Sequence, residues 1–334
     1  MARYKMLFGL LAVLALLAAA DPAPARSGGG FSAYTNIAYA SAQPAGSRGH
    51  LLDLYVPDRP GRSARPLLIV MGGSGWYGDD GKAYAKDVAP FFTAAGFVVA
   101  GVSTRSSRQA RFPAQLHDVK AAIRWLRAHS RSFGIDRRRF AVMGDSSGGW
   151  TAAMAGLTGN DRSLEGHVGV TGFPSDAQAV IDLYAPIDFR QMDAHMIPGA
   201  CATFNRSFGL TNCHADPHSP ESALLGCPIL TCPAQVQKAN PVTYVTRTAP
   251  PFLIAHGGRD LLVPPEQSEL LFAALSAAGA PATLYLTPGV GHSRGIVSSA
   301  HPEATVRRTP AAGPASSRPT LETIERFLHQ ALRL

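Results

Sequence analysis

The sequence predicts an α/β protein: a mostly parallel central sheet flanked by helices, with a cysteine-bearing insertion over one edge. Three observations predict it. Residues 66–71 and 97–102 are continuously apolar, the pattern of strands buried on both faces of a parallel sheet. Helix-spaced apolar residues alternate with such runs, most clearly Leu116, Val119, Ile123 and Leu126. The 334 residues are 46% hydrophobic and 16% charged, enough apolar material for a large core and too little charge for a disordered chain.

Taken in order, the chain opens with Arg3 and Lys5, an apolar run over 6–20, and two small-residue sites, Ala18-x-Ala20 and Ala23-x-Ala25. This is the plan of an export signal over 1–25, cleaved after Ala20 or Ala25. The apolar run is shorter than the about 20 residues that span a bilayer, so no stable membrane insertion is expected after cleavage. A Pro/Ala/Gly-rich lead-in covers 21–30, and residues 31–334 read as a single domain. Residues 50–56 alternate apolar and polar and stop at Pro57, as a half-exposed strand does. The strand at 66–71 runs into Gly72-Gly73-Ser74-Gly75-Trp76, and helical character follows over 84–95. Pro113 suits the first turn of a helix over 113–130. Asp118, Arg124 and Trp125 on that helix are read as packing and tethering residues.

Residues 139–143 form a further strand, and Thr151 opens a helical Ala-rich segment. Between them stands Gly144-Asp145-Ser146-Ser147-Gly148, the G-x-S-x-G turn that lifts a serine hydroxyl off the sheet beside the first amides of a helix. After the strand at 180–184 the alternation breaks, and an irregular, Pro-, Asn- and Cys-rich insertion covers about 188–248. Strand and helix then resume at 251–255, 265–278 and 282–286. Residues 293–319 read as irregular, and Leu321, Ile324, Leu328 and Leu332 mark a closing amphipathic helix.

All four cysteines, Cys201, Cys213, Cys227 and Cys232, lie in the insertion. In an exported chain an even, clustered set points to disulfides; three pairings are open, and the sequential one is the expectation. The spacing is irregular and only His214 and His218 are near, so no metal is expected. The net charge of +8 comes from scattered arginines without interleaved aromatics, which excludes the usual nucleic-acid footprint. No Gly-Lys-Ser/Thr follows the glycines after 66–71, so no phosphate-bearing cofactor is expected. The oligomeric state is left open.

Ser146 needs a base to take its proton. Of eleven histidines, His292 lies in a tight Gly-rich turn after the last strand of the alternation; His301 is a less constrained rival, and His256 is read as structural. The acid expected to orient the imidazole is Asp260, after a buried strand, with Asp188 as the alternative. The order Ser146, Asp260, His292 is the serine-acid-histidine order of α/β-hydrolases. Amides of Gly73, Ser74 and Ser147 are the candidate oxyanion donors.

These residues resemble the α/β-hydrolase superfamily, and within it a bacterial esterase/lipase branch of feruloyl-esterase-like and acetyl-xylan-esterase-like proteins. The likeness is carried by the segment 112–127, the serine turn, Ser219-Pro220-Glu221-Ser222, Asn240-Pro241, His256-Gly257-Gly258-Arg259-Asp260, Pro264-Pro265-Glu266-Gln267-Ser268 and Gly291-His292. It runs in order from about His50 to His292. Two departures stand out. The branch usually carries His-Gly-Gly-Gly-Trp where this chain has Gly72 to Trp76, so Gly72 stands at the histidine and Ser74 at a glycine; and the cysteine-bearing insertion is longer than the branch needs. The resemblance implies carboxylic-ester hydrolysis, with acyl groups on plant-wall polysaccharide among the substrates. Joined to the export signal and the serine turn, it gives an exported serine esterase forming an acyl-enzyme on Ser146 and acting on short acyl, acetyl or feruloyl esters, small or polysaccharide-linked. A serine peptidase of related fold, a non-catalytic binding protein on the same scaffold, and an acyltransferase are the rival readings.

Overall fold

The computed structural model describes residues 25–26, 30–58, 63–159 and 161–334. The expected export segment lies outside the described residues, except for Ala25. The strands are β1 (Ala25–Arg26), β2 (Phe31–Ala38), β3 (Leu51–Pro57), β4 (Arg65–Met71), β5 (Val98–Val102), β6 (Ile135–Asp145), β7 (Ala179–Leu183), β8 (Phe252–Gly257), β9 (Ala282–Thr287) and β10 (Thr305–Arg308). The helices are α1 (Ala85–Ala94), α2 (Ala114–Ala128), α3 (Ser147–Leu157), α4 (Ala200–Phe208), α5 (Pro220–Leu225), α6 (Pro233–Ala239), α7 (Glu266–Ala277) and α8 (Leu321–Leu332).

The strands form one sheet in the order β1-β2-β3-β5-β4-β6-β7-β8-β9-β10. Strands β5, β4, β6, β7, β8 and β9 run parallel, while β1, β2, β3 and β10 pair antiparallel at the two margins. The two-residue period of β4 shows why its run is wholly apolar. Leu67 and Ile69 pack with Leu116, Val119 and Ile123 of α2, Trp150 of α3 and Leu271 of α7. Leu68 and Val70 pack on the other face with Val88 and Phe92 of α1 and Ile324 and Leu328 of α8. Each such side chain contributes about 1.5–3 kcal/mol by leaving water.

Four strands differ from the sequence expectation: β1 lies in the stretch read as a lead-in, β3 is buried along most of its length where a half-exposed strand is expected, and β2 and β10 are not read as strands. β2 falls where a lead-in gives way to the domain, and its pattern is broken by an irregularity between Tyr34 and Ile37, with Asn36 at φ 57°. Period-two reading fails across such a bulge. β10 lies within the stretch read as irregular; it is a four-residue edge strand, Thr-Val-Arg-Arg, mostly exposed, with no buried face to create a pattern.

The structure bears out the tethering reading of α2. The Asp118 carboxylate receives Arg105 and His50, and Arg124 reaches the carbonyls of Val168 and Val170 and the Glu165 carboxylate. The insertion holds only short helices, and its cysteines pair sequentially, Cys201 with Cys213 and Cys227 with Cys232, at Cα separations of 5.3 and 6.3 Å. Its contacts with the rest of the protein include three side-chain hydrogen bonds. Trp150 Nε1 donates to the Ala239 carbonyl (2.8 Å), and Tyr77 Oη donates to the His218 carbonyl (3.0 Å). Buried His214 sets Nε2 3.1 Å from the Leu262 carbonyl and Nδ1 3.0 Å from Glu221 Oε1. Burial disfavours its charge, but the Glu221 carboxylate, with Asp193 and the Leu262 carbonyl, outweighs burial and raises its pKa.

Candidate active site

The parallel sheet brings the carboxyl ends of β4, β6, β7, β8 and β9 to one edge, and every predicted site residue lies there. β6 ends at Asp145 and α3 begins at Ser147, leaving Ser146 alone on the turn with φ 53° and ψ −127°. A non-glycine residue in that region carries strain of order 1–3 kcal/mol, so its surroundings must impose it. They do: Ser146 N donates to the Leu183 carbonyl (2.9 Å), and the Ser146 carbonyl accepts from Trp150 N (3.0 Å). A Cβ on Gly144 would collide with the Gly148 carbonyl, so the turn closes only on glycine.

The turn after β4 lies against this elbow. A Cβ on Gly73 would sit 2.6 Å from Ser146 Cβ, so the chain passes at a distance only glycine permits. Gly73 N donates to Asp145 Oδ1 (3.0 Å) and Ser74 N to Ser147 Oγ (2.9 Å). Two of the three expected oxyanion donors thus donate to side chains of the elbow in this structure. The third, Ser147 N, opens α3 and lies outside the intrahelical ladder.

His292 and Asp260 are brought together. His292 Nδ1 lies 2.7 Å from Asp260 Oδ2, with the imidazole side chain 18% exposed and the carboxylate fully buried. Oδ1 accepts the amides of Leu262 (2.8 Å) and Val263 (2.9 Å). His256 also faces this acid, its Nε2 being 3.0 Å from the Val263 carbonyl and 3.3 Å from Asp260 Oδ2. A carbonyl only accepts, so His256 Nε2 carries its proton, and Nδ1 receives the Ser268 hydroxyl at 2.7 Å. Burial alone would raise the Asp260 carboxyl, yet the hydrogen bonds from His256 and His292 outweigh it and hold it well below the usual carboxylate range. Asp188, the alternative acid, spends its carboxylate on Arg190 N and Gln191 Nε2. His301 lies in the turn beyond, its backbone bonded to Ser298.

Three residues at this edge escaped sequence reasoning. Tyr184, at φ 45°, turns sharply out of β7. Its ring meets the His292 imidazole edge-on at 4.7 Å, and its hydroxyl donates to Asp145 Oδ2 at 3.3 Å. Burial pushes the Tyr184 hydroxyl up, so it remains a donor. Asp145 was visible only as the variable position of G-x-S-x-G. Arg294, two residues past His292, sets Nη2 3.2 Å from Asp145 Oδ1. A tyrosine ending a strand and an arginine in a loop give no signal until the chain is folded.

A profile of the BD-FAE family matches residues 52–275, well over half of the chain and spanning β3 through most of α7. The chain belongs to the BD-FAE family. Esterase LipC of Mycobacterium tuberculosis is 30% identical over 294 residues, covering 85% of this chain and 62% of that protein. Esterase LipQ of the same organism is 30% identical over 245 residues, covering 72% of this chain and 53% of its own length. This BD-FAE chain therefore spans about three fifths and about half of those two relatives. Among solved structures, a truncated form of a carbohydrate esterase from gut microbiota superposes with a TM-score of 0.68 at 32% identity, covering 80% of this chain and 91% of the other. A bifunctional GH43-CE protein of Bacteroides eggerthii gives 0.73 at 28% identity, covering 90% and 35%. The fold is that of the α/β-hydrolases.

Proposed function

We propose that this BD-FAE protein is an exported serine esterase that hydrolyses carboxylic esters through an acyl-enzyme on Ser146. The observation that carries the reading is the buried Asp260 carboxylate bonded at 2.7 Å to His292, whose ring shares Tyr184 with the strained elbow of Ser146. The Asp260 acceptor keeps the proton of His292 on Nδ1 and leaves Nε2 as the base. Nε2 takes the Ser146 proton as Oγ attacks the ester carbonyl. It then protonates the departing alcohol as the tetrahedral C–O bond breaks. A water deprotonated by the same nitrogen attacks the acyl-enzyme, and the acid leaves as Ser146 regains its proton.

The negative oxygen of both tetrahedral states is received by Ser147 N–H. The Gly73 and Ser74 amides join it in three-centre bonds, shared with the Asp145 and Ser147 side chains that align them beforehand. The mechanism calls on no metal or cofactor. Short acyl, acetyl or feruloyl esters, free or carried on polysaccharide, are the proposed substrates; the names of the solved neighbours support the carbohydrate side of that range.

Ser146→Ala tests the reading. It is expected to abolish turnover across a panel of acetyl, butyryl, feruloyl and longer-chain esters, and labelling by a fluorophosphonate, without changing thermal unfolding. Retained turnover or labelling would remove Ser146 from the mechanism.

A further inference from the structure

Position 72 and residue 294 share one volume. The family resemblance sets a histidine where this chain has Gly72, and a Cβ built on Gly72 would lie 2.7 Å from Arg294 Nη2. The guanidinium thus fills the space that a side chain at the oxyanion turn would take. It lies over the Tyr84 ring, 4.0 Å from the centroid, with Nη1 3.4 Å from Asp87 Oδ2 and Nη2 3.2 Å from Asp145 Oδ1. Asp145 Oδ1 also accepts Gly73 N–H, and its Oδ2 accepts Tyr184 Oη, whose ring abuts His292. One carboxylate therefore touches the oxyanion turn, the residue beneath the base, and the loop that carries the base. It also adjoins Ser146 in the chain.

We infer that Arg294 is a positioning residue: through Asp145 it clamps the His292 loop and the Gly73 turn onto the Ser146 elbow, replacing the side chain that Gly72 lacks. The inference rests on Ser146 and His292 acting as proposed above. Both terminal nitrogens of Arg294 face carboxylates, Nη2 toward Asp145 and Nη1 toward Asp87. Its effect is geometric. Misplacing a base or an oxyanion donor by about an ångström costs up to about 100-fold in rate.

The test compares Arg294→Met, Arg294→Lys, Asp145→Asn and the Arg294→Met/Asp145→Asn pair in the full chain, with a chromogenic acetyl ester. Arg294→Met keeps the length of the side chain and removes its charge. It is expected to lower kcat by about 10- to 100-fold with KM within about twofold, and to slow fluorophosphonate labelling in proportion. Arg294→Lys keeps a cation toward Asp145 without the planar stack and is expected to fall between wild type and Arg294→Met. The pair should be scarcely worse than its poorer member, because both act through one contact. Arg294→Met within twofold of wild type, a rise in KM alone, or losses that multiply in the pair would each overturn the clamp. If Ser146→Ala retains activity the catalytic reading itself fails; if it is inactive while Arg294→Met matches wild type, only the clamp fails.

Discussion

Replacing Asp260 with asparagine changes one atom at the centre of a four-bond arrangement, and the structure states what must follow. Oδ1 accepts two backbone amides, from Leu262 and Val263. The asparagine oxygen must take that side, because an amide NH₂ cannot accept there. The NH₂ then faces His292 Nδ1, 2.7 Å away in the native protein, and His256 Nε2, already a donor to the Val263 carbonyl. His292 Nδ1 has to become an acceptor, which moves its proton to Nε2 and, in the mechanism proposed above, takes the base away from Ser146. A wrong tautomer in an otherwise intact serine-histidine-acid arrangement lowers kcat by about 10⁴, or about 5 kcal/mol of transition-state stabilisation. The assay is steady-state hydrolysis of an acetyl ester beside thermal unfolding, with KM expected to stay near wild type. Asp188→Asn, whose carboxylate serves only its own turn, is expected to stay within about threefold. A folded Asp260→Asn variant that keeps a tenth or more of native kcat, or an Asp188→Asn variant that loses as much, would refute the assignment of the acid.

Asp182 on β7 is fully buried, and burial raises its pKa to about 6 against an ordinary 3.8, only partly offset by the Ala185 amide. A carboxyl raised in the folded state stabilises the fold below the unfolded pKa, and that contribution is lost as pH rises through 6. The stability of wild type relative to the non-titrating Asp182→Asn variant is therefore expected to fall by about 3 kcal/mol between pH 3.5 and pH 7. Denaturant titrations at several pH values measure it, and a pH-independent difference would contradict it. Removing the first disulfide as Cys201→Ser/Cys213→Ser reopens a loop with a sequence separation of 12, worth about 3 kcal/mol in the chain-entropy model. Differential scanning calorimetry should show the loss as a midpoint several degrees lower, and an unchanged midpoint would show that the bridge constrains nothing.

The fold was legible wherever burial imposes a period. β4, β5 and β7 announce themselves because both faces are covered, and α2 and α8 because one face is. β2 and β10 were not legible, since a bulge interrupts one and solvent surrounds the other. At the candidate site, Ser146 was readable because its turn demands neighbouring glycines at fixed offsets. Asp260 and His292 followed from their places after β8 and β9, and the structure sets those two side chains in contact. The second layer left no trace in the sequence. Tyr184, Arg294 and the acid-facing side of His256 owe their roles to long-range contacts, which local spacing cannot encode.

Both disulfides of the insertion close on the insertion itself, at separations of 12 and 5 residues. Neither one welds it to the sheet. Apart from the two points where the chain enters and leaves it, the insertion is held to the scaffold by non-covalent contacts, through partners such as Ala239, His218 and His214. The insertion is thus a pre-knit cassette, cross-linked within itself and not to the sheet. A replacement of similar footprint would have to supply acceptors for Trp150 Nε1 and Tyr77 Oη where the Ala239 and His218 carbonyls now stand.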